Sequence, residues 1–428
     1  MKVIVSSTVL LNMGDSAIFD SLRMVVRQVF TGQQHFVVAD SDPGVSSRKY
    51  PDMQFVHPLY HTVMNNDKYR RLRWLKSVSN RLSSLANMVR FKTGLWFLRR
   101  GHIVAESFLS LEERRWLSEV MDADLVIVTG GTFLVENYSM KPRLFEYDVI
   151  LALGKPLLFY TQSLGPFTHE ANRRAIKSIM NRAALVCLRD ERSRTHLIDL
   201  GVRAEHLTVV SDSAFMLAEP SIWTKHTAHS PLRRVGISVR EWRYFNWSST
   251  EEGMKNYMDA IRHLVVHLVN DHDADVLFIS TCQGVAEYRY DDSLVATKIV
   301  DSLPETVRRR VKVDREEHSP AEFMTLVSEL DLMVATRMHA AILSMGAGVP
   351  VVPIEYEFKT RELFRGMGLD DYVLSIEDID PHGLTTTVDR AIAELHSFRA
   401  RQREAVMKLS EDASRVVGLI RQRLRHSY

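Results

Sequence analysis

Short, nearly continuous apolar runs recur along this chain, and each is followed by a stretch with helical spacing of apolar residues. The first series is Lys2–Ser6, Leu125–Thr129, Pro156–Tyr160, Leu185–Leu188 and Thr208–Ser211. The second is Arg234–Val239, Asp275–Ser280, Leu332–Ala335 and Val349–Ile354. A run that is apolar at successive positions buries both of its faces, as strands of a parallel sheet do. Parallel neighbours need a crossover connection, and the helical stretches supply it. The predicted class is therefore α/β. No internal repeat of the solenoid or propeller kind is visible.

The two series are separated at Ala218–Pro231, where Glu219-Pro220, Lys225–Ser230 and Pro231 interrupt the pattern. A length of 428 residues suffices for two separate cores. The expected organisation is a Rossmann-like domain over 1–220, a second over 231–384 and a helical tail over 385–428. A basic helical insertion at about 60–115 interrupts the first domain. Ligands bind such sheets beyond the carboxyl ends of the strands, so a cleft between two such domains would join two binding edges.

Composition narrows the partners. The net charge of +2 gives no support to nucleic-acid binding. Two cysteines, Cys187 and Cys282, cannot form a disulfide framework, and the N-terminal apolar run is too short for a signal peptide. No run of about 18 apolar residues is present. The expected location is cytoplasmic, with any membrane contact peripheral, at the inner face. A homo-oligomer is left open.

Asn66–Gly101 stands apart. It carries ten Lys and Arg against Asp67 alone, with Trp74, Phe91, Trp96 and Phe97 interleaved. Three readings are open: a solvated helical insertion with its aromatics inward, an interfacial helix pair gripping anionic lipid headgroups, or a nucleic-acid contact. The stretch Thr385–His426 reads as a long helical tail that packs across the domains, with a basic solvated face.

Polar residues gather where the predicted strands end. After the first strand comes Asn12-Met13-Gly14-Asp15-Ser16. Gly14 lets backbone approach a ligand, Asp15 or Ser16 suits a helix cap, and a carboxylate there could serve as a base. Gly130-Gly131 follows Leu125–Thr129, and Gln162-Ser163-Leu164-Gly165-Pro166 ends the next strand. In Arg189–Ser193, Asp190 or Ser193 suits a helix start and Arg189 could pair with Glu191. Asp212 could hold a hinge. Arg240-Glu241 is either a surface pair or a fork for a carboxylate or phosphate. Ser280-Thr281-Cys282-Gln283-Gly284 could line a sugar or nucleotide pocket, and Cys282 is not expected to be a nucleophile. Arg337 and His339 stand at the start of an apolar helix, where the dipole favours an anion and a histidine can exchange a proton. Glu355 and Lys359 follow the next strand.

Together these pieces resemble the polysaccharide pyruvyl transferase family across nearly the whole chain. The resemblance is carried by Asn12–Ile18, Gly130-Gly131, Gln162–Pro166, Arg189–Ser193, Asp212, Gly236–Arg240, Arg337–His339 and Glu355–Lys359. Ser280–Gly284 with Asp291-Asp292 looks like the branch involved in colanic-acid-type exopolysaccharides. The resemblance implies two Rossmann-like domains in a GT-B-like arrangement with an interdomain cleft. It implies phosphoenolpyruvate as donor and a pyruvate ketal on a hexose as product. The family's arginine–x–histidine motif falls on Arg337 and His339, and its arginine after the second domain's first strand falls on Arg240.

On this basis Arg240, Arg337 and Lys359 are assigned to the donor, His339 to the general acid and Asp15 to the base. Asn12, Gly14, Gly130, Gly131, Gln162, Ser163, Thr281 and Glu355 are assigned to the acceptor or the cleft lining. No cofactor or metal is expected. The acceptor is a sugar that is free, nucleotide-linked or lipid-linked. Two alternatives remain: a GT-B-type glycosyltransferase using a nucleotide sugar, and a non-catalytic saccharide-binding protein of an envelope assembly complex.

Overall fold

A computed structural model describes residues 1–64, 76–225, 232–245 and 249–425. Lys68, Arg70, Arg71, Arg73 and Trp74 of the basic segment lie outside these residues, as do positions 226–231 of the expected linker. The chain divides into two compact units that are discontinuous in sequence. One comprises Met1–Leu10, Leu22–Val210 and Val416–Tyr428, the other Leu11–Ser21 and Ser211–Arg415. The change at Val210–Ser211 precedes the expected linker, and the helical tail is divided between the two units.

The first unit is built on an eight-stranded sheet. Its strands are β1 (Lys2–Thr8), β2 (His35–Asp40), β3 (Gln54–Val56), β4 (Leu125–Val128), β5 (Gly131–Leu134), β6 (Leu157–Leu164), β7 (Leu185–Leu188) and β8 (Leu207–Val209). They run in the order β3-β2-β1-β4-β6-β7-β8, with β5 on β6, and every pairing is parallel. The second unit holds β9 (Arg234–Ser238), β10 (Asp275–Phe278), β11 (Val311–Val313), β12 (Leu332–Ala335), β13 (Val351–Glu355) and β14 (Leu374–Ser375). Their order is β11-β10-β9-β12-β13-β14, again all parallel. Each sheet thus begins centrally, is wound outward one way and then the other. This is the doubly wound, Rossmann-like order, with a switch point between β1 and β4 and another between β9 and β12.

All nine apolar runs are strands, and β4, β7 and β12 are buried at every residue. The sequence pattern did not reveal β2, β3, β5, β11 or β14. Four of these are short or edge strands, where few apolar residues are needed. The tail is two helices, Pro381–Ala393 and Leu395–Arg425, interrupted at Glu394. The second helix attaches to its sheet through Gln402, which accepts from Val351 N–H and donates to Val351 C=O, each at 2.8 Å. Its arginines are not all solvated: Arg399 is buried and donates to Asp331 C=O. Among the described residues no helix is long and apolar enough to cross a membrane.

In the basic segment the helix Lys76–Leu98 splits its aromatics. Phe91 is fully buried, edge-on to Phe145, and Phe97 stacks on Phe108. Trp96 faces outward beneath the Arg100 guanidinium, 3.7 Å from its ring centroid. Arg90 turns inward to the buried Glu113 in a fork-to-carboxylate pair.

At the first unit's switch point, β1 is irregular between Val5 and Thr8, and Ser7 adopts φ 67°. Ser7 Oγ meets Tyr147 Oη at 2.7 Å, and Ser6 Oγ donates to Glu146. Glu146 also accepts from Leu59 N–H at 2.7 Å. Burial raises the Glu146 pKa above the ordinary 4.5, because these bonds and Arg143 only partly offset the loss of hydration. A carboxyl that binds its proton more tightly when folded loses stability as pH rises above its unfolded pKa. Glu146→Gln keeps an acceptor for Leu59 and a polar partner for Ser6 without the charge. Its stability in urea unfolding is expected to gain on the parent's as pH is raised from about 4.5 to 7. A difference between the two that stays constant with pH would refute this assignment.

Candidate active site

In the second unit the strand-end loops carry most of the residues singled out by sequence. The loop after β9 holds Arg240, that after β10 holds Thr281 and Cys282, that after β12 holds Arg337, and that after β13 holds Tyr356, with Lys359 in the first turn of the helix Phe358–Gly366. The register pairs Ser238 with Ala335, so Arg240 and Arg337 leave from either side of the switch point.

Arg337 is the N-cap residue of the helix Met338–Gly346, in extended backbone and without a side-chain cap bond. Its guanidinium is turned to Asp292, with Nε 2.8 Å from Oδ2 and Nη2 2.7 Å from Oδ1. Both side chains are buried, at 11% and 3% exposure. Burial opposes the charge on Arg337, but the facing carboxylate outweighs it and the pKa rises well above the usual value. Asp292 also accepts from Ser280 Oγ at 2.6 Å, and its own N–H donates to Cys282 C=O at 2.7 Å. Ser280 Oγ lies 3.2 Å from Ser238 Oγ. One carboxylate therefore joins the loops after β10 and β12 to the end of β9.

His339 follows two residues after Arg337. Its Nε2 is 3.6 Å from Asp212 Oδ2, at ion-pair distance, and both side chains are largely buried. Asp212 is fixed by accepting from Ala214 N–H at 2.9 Å. The imidazole lies against Gly14, where a Cβ would overlap its ring atoms. Gly14 belongs to the segment Leu11–Ser21, which packs in this unit. Met13 N–H donates to Thr281 C=O at 3.0 Å, and Asn12 bonds the Tyr288 hydroxyl. The helix starts at Met13, with Asn12 Oδ1 accepting from Gly14 N–H. Asn12, not Asp15 or Ser16, makes the turn, and Asp15 lies inside the first turn of helix. Asp15 contributes to the field around both Cys282 and Tyr288.

Arg240 is half-buried, its guanidinium carbon 3.9 Å from the Tyr356 ring centroid and 4.9 Å from that of Trp242. It touches Glu241 only through the backbone carbonyl, while the Glu241 carboxylate pairs with Arg243 at 2.8 Å. Of the two readings open for Arg240-Glu241, the surface ion pair is not formed. Lys359 Nζ lies 5.8 Å from the same Tyr356 ring and 2.8 Å from Glu357. Two of the three cations assigned to the donor thus share one aromatic ring, and the third is engaged by Asp292. Glu355 is paired with Arg361. Burial drives the Cys282 thiol up to about 12, so it is no thiolate near neutrality.

The remaining candidates belong to the first unit. Gly131 opens β5 at φ 150°, and Gln162 and Ser163 lie inside β6, fully buried. Gln162 Nε2 donates to Thr129 C=O. Arg189 donates to Ser163 Oγ at 2.7 Å and to Thr132 Oγ1 at 2.5 Å. Asp190 caps the next helix through Ser193 N–H. These groups tie the strand ends of that sheet together.

Sequence reasoning missed Tyr356, Trp242, Tyr288 and the engagement of Asp212 with His339. Each neighbours or belongs to a quoted motif, but only contact across the sheet edge gives it a partner.

Residues 12–357 match the polysaccharide pyruvyl transferase family. The chain belongs to that family. Membership supports an enzyme of the transferase class with a pyruvyl-transfer role in polysaccharide synthesis. The chain is 25% identical over 322 residues to the amylovoran biosynthesis protein AmsJ of Erwinia amylovora, covering 71% of this chain and 76% of AmsJ. Among solved structures, HepE of Anabaena in complex with UDP superposes with a TM-score of 0.55 at 15% identity, covering 100% of this chain and 99% of HepE. The UDP co-structure of MnaA from S. aureus gives 0.57 at 11% identity, covering 99% and 97%. At such identities these likenesses speak for the fold alone, and they agree with two Rossmann-like units of the GT-B-like class.

Removing the Asp292 carboxylate leaves Arg337 charged, buried and unpaired. Asp292→Ala is expected to destabilise the protein by about 3–5 kcal/mol in denaturant unfolding. Arg337→Met added to it should restore a large part of that loss. Additive losses in the double variant would show that the pair does not act as a unit.

Proposed function

We propose that this transferase moves a pyruvyl group from phosphoenolpyruvate onto a hexose of a polysaccharide, or of its lipid-linked or nucleotide precursor, and forms a pyruvate ketal. The observation that carries the reading is the grouping at the second unit's strand ends: Arg240 and Lys359 on Tyr356, and His339 beside Asp212 and Gly14. Phosphoenolpyruvate presents a carboxylate and a phosphate, and Arg240 and Lys359 supply cations of the right sign. Arg337, its fork held by Asp292, adds positive charge behind them and fixes the loop that carries His339.

In this scheme His339 protonates C3 of the enol, and the methyl group forms as positive charge develops at C2. The Asp212 carboxylate compensates the imidazolium before transfer. A sugar hydroxyl attacks C2 and gives its proton to Asp15. A second hydroxyl then displaces phosphate from C2 and closes the ketal, its proton leaving with the phosphate. The proton on Asp15 returns to the imidazole through solvent. The scheme calls for no cofactor. Ser280–Gly284 with Asp291-Asp292 supports placing the chain in the colanic-acid-type exopolysaccharide branch.

Incubation with phosphoenolpyruvate and candidate acceptors should release inorganic phosphate. His339→Ala should lower kcat by about 10²-fold or more, and Asp212→Asn by about 10-fold. Unchanged turnover in His339→Ala would remove it as the acid. Turnover of a UDP-sugar in place of phosphoenolpyruvate would favour the glycosyltransferase reading.

The acceptor's carrier is proposed to be lipid-linked, at an anionic membrane face. On the helix Lys76–Leu98, Leu85, Val89, Lys92 and Trp96 are exposed at one helical spacing, followed by exposed Arg99, Arg100 and Ile103. Apolar groups ringed by cations suit an interface of acyl chains and anionic headgroups. The protein should sediment with vesicles containing phosphatidylglycerol and not with pure phosphatidylcholine. Val89→Ser with Trp96→Ser should weaken that binding by about 10-fold. Equal binding to both vesicles, or none to either, would overturn the proposal.

A further inference from the structure

Apart from the residues above, two histidines and an aspartate of the second unit converge. His267 lies in the last turn of the helix Thr250–Asn270, and His272 follows just after that helix ends. Asp389 comes from the helix Pro381–Ala393. Asp389 Oδ1 is 2.8 Å from His267 Nε2 and 2.8 Å from His272 Nε2. The two rings meet edge to face at 5.0 Å between centroids. The three ligand atoms lie within 4.8 Å of one another.

We propose that His267, His272 and Asp389 form a binding site for a divalent first-row metal ion, Zn²⁺ foremost, which clips these two helices together. Two imidazole nitrogens and one carboxylate oxygen are a donor set that Zn²⁺ accepts, with a water as fourth ligand. Ligand atoms in a tetrahedral site stand about 3.3–3.5 Å apart, so binding an ion calls for each ring to withdraw from the carboxylate and for the two imidazoles to adjust about the ion. The outer shell is also built. His267 Nδ1 is 2.7 Å from Asp271 Oδ2, the carboxylate–histidine arrangement that orients a metal-bound imidazole. The carbonyl end of a 21-residue helix adds negative potential. Side-chain exposures of 20%, 24% and 42% leave room for a metal-bound water and a path for the ion. The sequence does place His263 four residues before His267, but His263 is exposed and takes no part in this group.

The site is structural, and its test is independent of transferase activity. Full-length protein, stripped with a chelator, is titrated with Co²⁺ and then with Zn²⁺. One saturable equivalent is expected, with visible Co²⁺ absorption of low coordination number, displacement by Zn²⁺ and a higher Tm in the loaded protein. His272→Gln and Asp389→Asn should lose that equivalent. Asp271→Asn, at an exposed outer-shell position, should weaken it by about 10–100-fold. That variant keeps the test decisive if the others fold poorly. Absence of a saturable equivalent would overturn the proposal. So would an equivalent that persists at full strength in all three variants, since it would then reside on other histidines.

Discussion

A single buried carboxylate sets the geometry of the second unit's strand ends. Asp292 takes both N–H edges of the Arg337 fork and the Ser280 hydroxyl, and its N–H holds the Cys282 carbonyl. An ion pair so far from water repays its desolvation only in part, so its value lies in position more than in net stability. Asp292 and Arg337 turn the loop after β12 toward the loop after β10 and hold it there. His339, two residues further, inherits that placement, and Gly14 can lie against its ring because no Cβ intervenes.

With Arg337 engaged, the remaining positive charge of the site rests on aromatic surface. Arg240 lies against both Tyr356 and Trp242, whose ring centroids are 4.8 Å apart, and Lys359 approaches Tyr356 as well. A guanidinium against ring faces keeps its charge while shedding part of its hydration, and its N–H groups are set in a fixed plane. Rigid cations of this kind suit a small polyanion better than mobile ones, because less entropy is lost on binding. Cys282, at the centre of these fields, is kept a neutral thiol by burial and acts as packing.

Much of this was legible before any coordinates. Continuous apolar runs placed nine strands, since burial on both faces leaves a mark in local sequence. The polar residues just after those runs gave Arg240, Arg337, His339 and Lys359, because parallel strands all present their carboxyl ends to one edge. The edge strands β3, β11 and β14 left no such mark, being two or three residues long. Asp212 was read as a hinge with no partner named for it. Arg189 was read as able to pair with its neighbour Glu191, whereas its bonds reach Ser163 and Thr132 on other strands.

What the sequence by itself determined is the class of the fold, the two series of strands and the membership of the strand-end loops, all consequences of short-range hydrophobic pattern. What only the tertiary structure decided is which charges meet. Arg337 meets Asp292 across 45 positions, His339 meets Asp212, and the segment Leu11–Ser21 packs with a unit whose other residues begin at Ser211. The physical reason is that strand order follows from crossovers and backbone hydrogen bonding between distant segments. Side chains on different loops therefore become neighbours through the sheet, and no local pattern of residues encodes that proximity.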